Sequence, residues 1–191
     1  VEVDGAAMAA AVLDLARTAL ETGPVDAVGI ANQRATTLVW DRTTGEPVAP
    51  GLGWQDLRTI GTCLALGAEG IRIAPNLSAT KAADILDRVD PDRERDLCIG
   101  TVDSWVAWTL SDGALHVTDP TNAALTGLRN RAADDWDDDL LARLRLDRAS
   151  LPTVVGSSGA VGEATALPGS PPICGIAGDQ QASLVGQGCF A

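Results

Sequence analysis

Several residue types are scarce in this sequence, and each scarcity excludes a class of protein. The 191 residues contain one lysine and carry a formal net charge of -12. A nucleic-acid surface is therefore excluded, because phosphodiester binding draws on clustered Lys and Arg. No run approaches the roughly 18 apolar residues of a membrane span, and the N-terminal VEVDGAAMAA has acidic residues where a signal peptide carries basic ones. We therefore expect a cytoplasmic protein with neither nucleic acid nor membrane as a partner.

The cysteines and the acidic residues give no pattern typical of a metal site. Cys63, Cys98, Cys174 and Cys189 are widely separated and form no CxxC or Cys/His spacing, so we predict neither zinc nor a disulfide framework. The acidic run DDWDDD at 134–139 lacks the glycine and the terminal glutamate of an EF-hand loop. The apolar stretch LLARLRL follows this run. We therefore interpret the run as carboxylates at a helix N-terminus, where they interact favourably with the helix dipole. We expect no metal ligands in this chain.

Helical and strand patterns alternate along the sequence. Asp4 is a candidate N-cap for a helix that would bury Met8, Val12, Leu15 and Ala19 on one face. Further helices are predicted over SATKAADILDRV, GTVDSWVAWTL and DQQASLVGQ, and strands over VDAVGIA, TTLVWD, ALHVT and PPICGIA. This alternation predicts an α/β fold around a mostly buried sheet.

The most informative stretch is GIAGDQQASLVGQ, residues 175–187, in which a strand pattern meets a helix pattern at Gly178 and Asp179. On one interpretation Asp179 only caps its own helix. On the other it is functional, because ligands of open α/β sheets gather at the carboxyl ends of strands, where an ionised Asp can take a proton from a hydroxyl. Spacing alone does not choose between the two.

Six stretches together resemble one known family over nearly the whole chain. They are GIANQRATTLVWDRTTGEP, GWQDLRT, GTVDSWVAWTL, HVTDPTNAALTGL, DWDDDLLARL and GIAGDQQASLVGQ. Each is a weak signal by itself, but their order and rough spacing resemble those of glycerol kinases within the FGGY carbohydrate kinase family. The resemblance implies a ribonuclease H-like, actin-type fold with a mixed central sheet, in which two such domains close over ATP and a polyol.

The resemblance also implies roles for individual residues. Asp179 is similar to the family's catalytic base, and Gln180 to a residue that hydrogen-bonds the substrate. Arg34 matches an arginine that contacts the substrate's hydroxyls, and Trp54 matches an aromatic residue that packs on its carbon skeleton. Such a set suits a polyol, since Arg donors, a carboxylate and an amide pair with the hydroxyls while an indole covers the C–H face.

Other interpretations of these side chains stay open. Arg34 could pair with a surface carboxylate, and Trp54 could belong to the core. Trp105 and Trp108 are predicted to be core residues, and His116 is expected to be structural because the family's HVTD motif is structural.

Two positions depart from the family pattern and bear on the acceptor. Ala35 stands where the family has a glutamate that binds a substrate hydroxyl, and Asn76 stands where it usually has a tyrosine that reaches the substrate. The segment 58–75 is also shorter than in the family. Each lost hydrogen bond in a closed site costs about 1–3 kcal/mol. The acceptor is therefore either glycerol or another polyol or ketose for which Ala35 and Asn76 make room.

The resemblance further implies that residues 1–191 form part of the family's N-terminal domain. The N-terminal hairpin with its phosphate-binding turn and the C-terminal domain that holds adenine are expected outside it, so that ATP and Mg²⁺ bind mainly elsewhere. The isolated chain is then expected to be inactive and to have an unpaired sheet edge. The full-length protein could form a homo-oligomer. The alternative is a binding remnant that has lost phosphoryl transfer.

Overall fold

The computed structural model describes residues 1–130 and 135–189. Its strands are β1 (Glu2–Val3), β2 (Val28–Asn32), β3 (Thr37–Asp41), β4 (Gly51–Leu52), β5 (Leu97–Thr101), β6 (Val117–Thr118), β7 (Arg129–Asn130), β8 (Asp135–Trp136), β9 (Thr153–Val154), β10 (Ser158–Glu163) and β11 (Pro172–Gly178). Its helices are α1 (Gly5–Leu20), α2 (Ile60–Ala68), α3 (Ser78–Val89), α4 (Val102–Leu110), α5 (Pro120–Ala123), α6 (Asp138–Leu144) and α7 (Asp179–Gly186). The predicted α/β class is confirmed. Within the described ranges, every helix is too short or too polar to cross a membrane.

Two sheets carry most of the strand pairing. The first has the order β1-β4-β3-β5, and its neighbours pair antiparallel. The second has the order β10-β11-β2, with β11 antiparallel to β10 and parallel to β2, so it is mixed as predicted. Smaller pairs join β6 to β9 and β7 to β8.

The strand β2 lies at an edge of the second sheet. Among the described residues its pairing partner is β11, on one side. An apolar groove of about 580 Å³ lies beside this edge and is lined by β2, α1 and α4.

Helix α1 begins as predicted but buries a different face. The Asp4 carboxylate accepts a hydrogen bond from the amide of Ala7 at 3.0 Å, so it is the N-cap. The prediction that Leu15 and Ala19 are buried is wrong, because Leu15 is 69% exposed and Ala19 is exposed as well. The helix instead packs through Met8, Ala9, Val12, Leu13, Ala16 and Leu20.

The helix predicted over GTVDSWVAWTL starts two residues later than the pattern indicates. Gly100 and Thr101 belong to β5, where they pair with Leu38 and Thr37 of β3. A Cβ on Gly100 would lie 2.6 Å from Cβ of Ser104 and 2.8 Å from a ring carbon of Trp40, so the glycine makes room for both side chains. The strand predicted over ALHVT is likewise shorter, since β6 comprises Val117–Thr118.

A cluster of aromatic side chains fills the space between β3 and α4. The ring of Trp40 lies edge-on to Trp105, Trp108 and His116 at centroid distances of 5.1, 5.7 and 5.1 Å. Nε2 of His116 donates a hydrogen bond to the carbonyl of Ile99 at 3.0 Å. Trp105 is buried and Trp108 is partly buried in this cluster, as predicted. His116 is a packing residue here, in agreement with its expected structural role.

The acidic run lies at the start of α6. Asp137 is the N-cap and accepts from the amide of Leu140 at 3.1 Å, while Asp138 and Asp139 lie in the first turn. Asp134 lies outside the described residues. The predicted place of this run at a helix N-terminus is confirmed for Asp137, Asp138 and Asp139, whereas Asp135 lies in β8 and pairs with Arg148.

Two buried titratable groups near β5 affect stability in opposite directions. Burial lowers the pKa of His116 to about 4, so below pH 6.5 the unfolded chain binds a proton that the native state does not. His116 therefore destabilises the fold as the pH falls from about 6.5 to 4. Burial raises the pKa of Asp103 to about 6, so the native state holds a proton that the unfolded chain releases above its ordinary pKa of 3.8. Asp103 therefore stabilises the fold as the pH falls through that range.

Replacing His116 should separate its effect on the pH dependence of stability from the opposite effect of Asp103. His116→Gln keeps an N–H donor for the Ile99 carbonyl but removes the titration. We expect its free energy of unfolding in urea to fall less than that of the parent chain between pH 6.5 and 4, by up to about 1.4 kcal/mol per pH unit. Asp103→Asn should have the opposite effect and steepen the fall. Parallel stability curves for the parent chain and His116→Gln would contradict this assignment.

Candidate functional site

The parallel pairing of β2 and β11 brings two loops to one edge of the second sheet. Gly178, the last residue of β11, lies opposite Asn32, the last residue of β2. Because both strands run in the same direction, the loop after β2 and the start of α7 emerge at the same edge. Arg34 lies in the first of these segments and Asp179 in the second.

The loop after β2 is held in a tight conformation at Ala35. This residue has φ = 62° and is buried, which is uncommon for a residue with a Cβ. Its carbonyl accepts hydrogen bonds from Oγ1 of Thr37 at 3.2 Å and from Oγ of Ser78 at 3.4 Å. These bonds join the loop to the N-terminus of α3.

The predicted junction of a strand and a helix at Gly178 and Asp179 is confirmed, but the interpretation of Asp179 as the N-cap is off by one residue. Gly178 is the N-cap, and Asp179 is the first residue of α7. The Asp179 carboxylate accepts a hydrogen bond from the amide of Gln180, its neighbour in sequence, at 2.8 Å. The shift arises because β11 extends through Gly178 to pair with Asn32. The exposed Asp179 side chain therefore bonds a free amide of the first turn of α7, although it does not occupy the N-cap position.

The side chain of Arg34 lies across Gly178. A Cβ on Gly178 would lie 2.8 Å from Cγ and 2.9 Å from Nε of Arg34, and closer still to Cδ, so only glycine allows this approach. One guanidinium nitrogen of Arg34 donates to Oε1 of Gln180, and the other donates to the carbonyl of Thr121 at 3.4 Å. The structure thus brings Arg34 and Gln180 into direct contact, and Asp179 immediately precedes Gln180 in the sequence.

Trp54 follows β4 and is partly exposed. Its side chain is 44% exposed, so it is not a core residue. Its amide donates to Oγ1 of Thr36 at 3.3 Å, which fixes the Trp54 segment to the loop that carries Arg34. An exposed indole connected to this loop can cover the apolar side of a small ligand.

The position of Asn76 depends on a residue that the sequence patterns did not single out. Lys81 is fully buried in α3, and its Nζ donates to the carbonyls of Gly53 and Asn76 at 2.8 and 3.1 Å. Lys81 thereby joins the segment before Trp54 to the segment before α3. Burial lowers its pKa to about 8. As the only lysine of the chain, it could have been noticed in the sequence, but its burial could not.

Three of the six predicted site residues lie side by side, and the backbone segments of the other three are joined to the Arg34 loop by hydrogen bonds. Arg34 and Gln180 are in direct contact, and Asp179 adjoins Gln180. The remaining residues, Ala35, Trp54 and Asn76, are connected to them through Thr36, Ser78 and Lys81. Within residues 1–130 and 135–189, no group of three or more His, Cys, Asp or Glu side chains could hold a metal ion.

Residues 6–186 match the N-terminal domain of the FGGY family of carbohydrate kinases, and the chain belongs to this family. Curated relatives include the glycerol kinase of Aromatoleum aromaticum, which is 47% identical over 212 residues covering 100% of this chain and 43% of the relative. The glycerol kinase of Methylorubrum populi is 46% identical over 195 residues covering 93% of this chain and 39% of the relative. The chain thus spans less than half the length of these relatives.

Solved structures share the fold. The glycerol kinase of Plasmodium falciparum, solved with ADP, superposes with a TM-score of 0.89 at 24% identity over 99% of this chain and 42% of that chain. A ligand-bound xylulose kinase from Lactobacillus acidophilus gives a TM-score of 0.82 at 17% identity over 96% of this chain and 41% of that chain. The predicted ribonuclease H-like, actin-type fold is confirmed.

Adding a methyl group at Gly178 should displace Arg34 without unfolding the chain. The backbone of Gly178 (φ = -61°, ψ = 149°) accepts alanine, so the clash is with the arginine side chain alone. We expect Gly178→Ala to shift the NMR signals of the Arg34 Nε–H and the Gln180 side-chain amide, with a stability loss of about 1 kcal/mol.

The matched control is Gly175→Ala on the same strand. The atom nearest to its new Cβ would be the carbonyl oxygen of Ser157, at 3.7 Å, an ordinary contact distance. Its Arg34 and Gln180 signals should match those of the parent chain. Unchanged Arg34 signals in Gly178→Ala would contradict the described packing.

Proposed function

We propose that this chain forms the acceptor-binding part of an ATP-dependent kinase that phosphorylates a hydroxyl of glycerol or a related polyol. The observation that carries the proposal is the contact of Arg34 with Gln180 and Gly178, immediately beside the exposed carboxylate of Asp179. This arrangement places hydrogen-bond donors and a proton acceptor at one strand-end edge, where α/β folds bind ligands.

Each side chain has a distinct role in the proposed reaction. Asp179 accepts the proton of the attacking hydroxyl as the hydroxyl oxygen bonds to the γ-phosphorus of ATP and the bond from that phosphorus to the departing ADP oxygen breaks. Arg34 has N–H groups beyond the two that bind Gln180 and Thr121, and these donate to substrate hydroxyls. Gln180 offers an amide to the same hydroxyls, and Trp54 covers the C–H side of the carbon chain. Positioning of this kind supplies most of the protein's contribution to phosphoryl transfer.

ATP is the phosphoryl donor in this proposal, and Mg²⁺ neutralises charge on its phosphates when bound. From the resemblance to the family, we propose that both bind mainly to parts of the kinase outside this chain. We further propose that the kinase works in the cytoplasm, with no nucleic-acid or membrane partner, and that the full-length enzyme can form a homo-oligomer.

Ala35 and Asn76 favour a second candidate acceptor within the same reaction class. Both side chains are shorter than the glutamate and tyrosine expected from the family pattern, and Asn76 is exposed. A larger polyol or a ketose could lie against the exposed Asn76 and supply its own hydroxyls to Arg34, while Ala35 is buried. Comparing turnover on glycerol, a five-carbon polyol and a ketopentose distinguishes the two acceptor classes.

The proposed base is tested in a chimera in which this chain replaces the matching segment of the Aromatoleum aromaticum glycerol kinase. Asp179→Asn keeps the side-chain shape but removes the proton acceptor, so we expect kcat to fall by about 100-fold or more with little loss of stability. The control is Asp139→Asn, which changes another exposed carboxylate in the first turn of a helix. It should leave kcat unchanged.

Two results would count against this role for Asp179. One is a fully active Asp179→Asn chimera, and the other is a loss of activity that only follows unfolding. The 191-residue chain alone serves as the blank and should release no polyol-dependent ADP.

Restoring the family's carboxylate at position 35 should improve glycerol binding. Alanine already adopts φ = 62° here, so glutamate adds no further backbone strain of this kind. We expect Ala35→Glu to strengthen glycerol binding in the chimera by about 1–3 kcal/mol, measured as a lower KM. Ala35→Gln, which lacks the charge, should improve it less. An unchanged or higher KM in a stably folded Ala35→Glu chimera would contradict glycerol as the acceptor for which this site is built.

A further inference from the structure

Thr121 is in contact with both halves of the candidate site. It lies in α5, and its Oγ1 accepts a hydrogen bond from the backbone amide of Gly178 at 2.8 Å. Its carbonyl accepts from the guanidinium of Arg34 at 3.4 Å. One residue therefore contacts the backbone next to Asp179 and the side chain that contacts Gln180.

A buried carboxylate fixes the direction of the Thr121 hydroxyl. Since Oγ1 accepts from Gly178, its own proton must go to another acceptor, and it donates to Oδ1 of Asp119 at 3.0 Å. Asp119 is fully buried and accepts four further hydrogen bonds. These come from the amides of Thr121 and Asn122, Nδ2 of Asn122 and Oγ of Ser157.

The same network reaches the end of β2. The side-chain amides of Asn122 and Asn32 exchange hydrogen bonds at 2.9 and 3.2 Å, and both side chains are buried. Asn32 is the residue that lies opposite Gly178 across the parallel pair. A satisfied buried network of this kind holds its members in one geometry.

We propose that Thr121 is a positioning residue for the reaction. Its hydroxyl holds the Gly178 amide so that the Asp179 carboxylate lies within hydrogen-bond reach of the acceptor hydroxyl. This inference rests on the proposed function. It extends that function to a residue that need not contact substrate, because Thr121 acts through Gly178. A displacement of about 1 Å at a reacting group can cost 10²-fold in rate.

The variants Thr121→Val and Thr121→Ser separate the hydroxyl from the shape of the side chain. Valine keeps the β-branched volume and removes Oγ1, while serine keeps the oxygen. Folding should survive in Thr121→Val, since Asp119 retains four donors and the Thr121 carbonyl remains available to Arg34. The matched control is Thr109→Val on α4, whose Oγ1 donates only to the carbonyl of Trp105 among the described contacts.

The first measurement uses the 191-residue chain and needs no activity. Amide hydrogen exchange, followed by NMR, should be at least about 10-fold faster at Gly178 in Thr121→Val than in the parent chain. Thr121→Ser and Thr109→Val should leave exchange at Gly178 unchanged. Equal protection of Gly178 in all four proteins would overturn the proposed contact whether or not the chain belongs to a glycerol kinase.

The second measurement uses steady-state kinetics of the chimera. Thr121→Val should lower kcat by about 10- to 100-fold. The KM for the acceptor should change by less than about 3-fold, because the contact with Arg34 is made by the backbone and is retained. Thr121→Ser should restore kcat to within about 3-fold of the parent value.

Two kinetic results would overturn the positioning role. In one, Thr121→Val changes only the fraction of folded enzyme, so that kcat per active site stays at the parent value. In the other, KM rises while kcat is unchanged. A parent chimera that is inactive on every acceptor tested refutes the proposed function instead, and hydrogen exchange at Gly178 then decides the Thr121 contact by itself.

Discussion

Parallel pairing between β11 and β2 brings Arg34, Asp179 and Gln180 to one edge of the second sheet. Arg34 and Gln180 are 146 positions apart in sequence, yet they are in direct contact because the two strands end side by side at Asn32 and Gly178. A parallel pair needs a long crossover between its strands. The crossover here includes β3, β4, β5 and α3, and the segments that carry Trp54 and Asn76 are hydrogen-bonded to Thr36 and Lys81. The contact between Arg34 and Gln180 therefore depends on the strand topology.

Buried polar groups hold the loops of this arrangement together. Lys81 and Asp119 are both fully buried, and burial of a charge is costly unless it is hydrogen-bonded. Lys81 joins the segments of Trp54 and Asn76 through two carbonyls, and Asp119 orders Thr121 through five donors. Neither group is itself proposed to contact the substrate. Lys81 bonds the segments of Trp54 and Asn76, and Asp119 bonds Thr121, so each supports a part of the candidate site.

Local patterns in the sequence were sufficient for some features and misleading for others. The Asp4 cap, helix α3 and the strand-to-helix junction at Gly178 follow from capping and periodicity. Leu15 matched the helical period but is exposed. Gly100 matched the start of a helix but belongs to β5, because it pairs with Leu38 of β3. The burial of Lys81 depends on carbonyls from two distant segments, so no local pattern could reveal it. The residue roles proposed for the site stay predictions.

The most direct test of the central claim is a crystal structure of the chimera with glycerol bound. Our account predicts one glycerol hydroxyl within about 3.2 Å of the Asp179 carboxylate. The other hydroxyls should lie against Arg34 and Gln180, and the carbon chain against the indole of Trp54. Glycerol bound in another part of the molecule, with Asp179 and Arg34 in contact only with solvent or protein, would contradict the account.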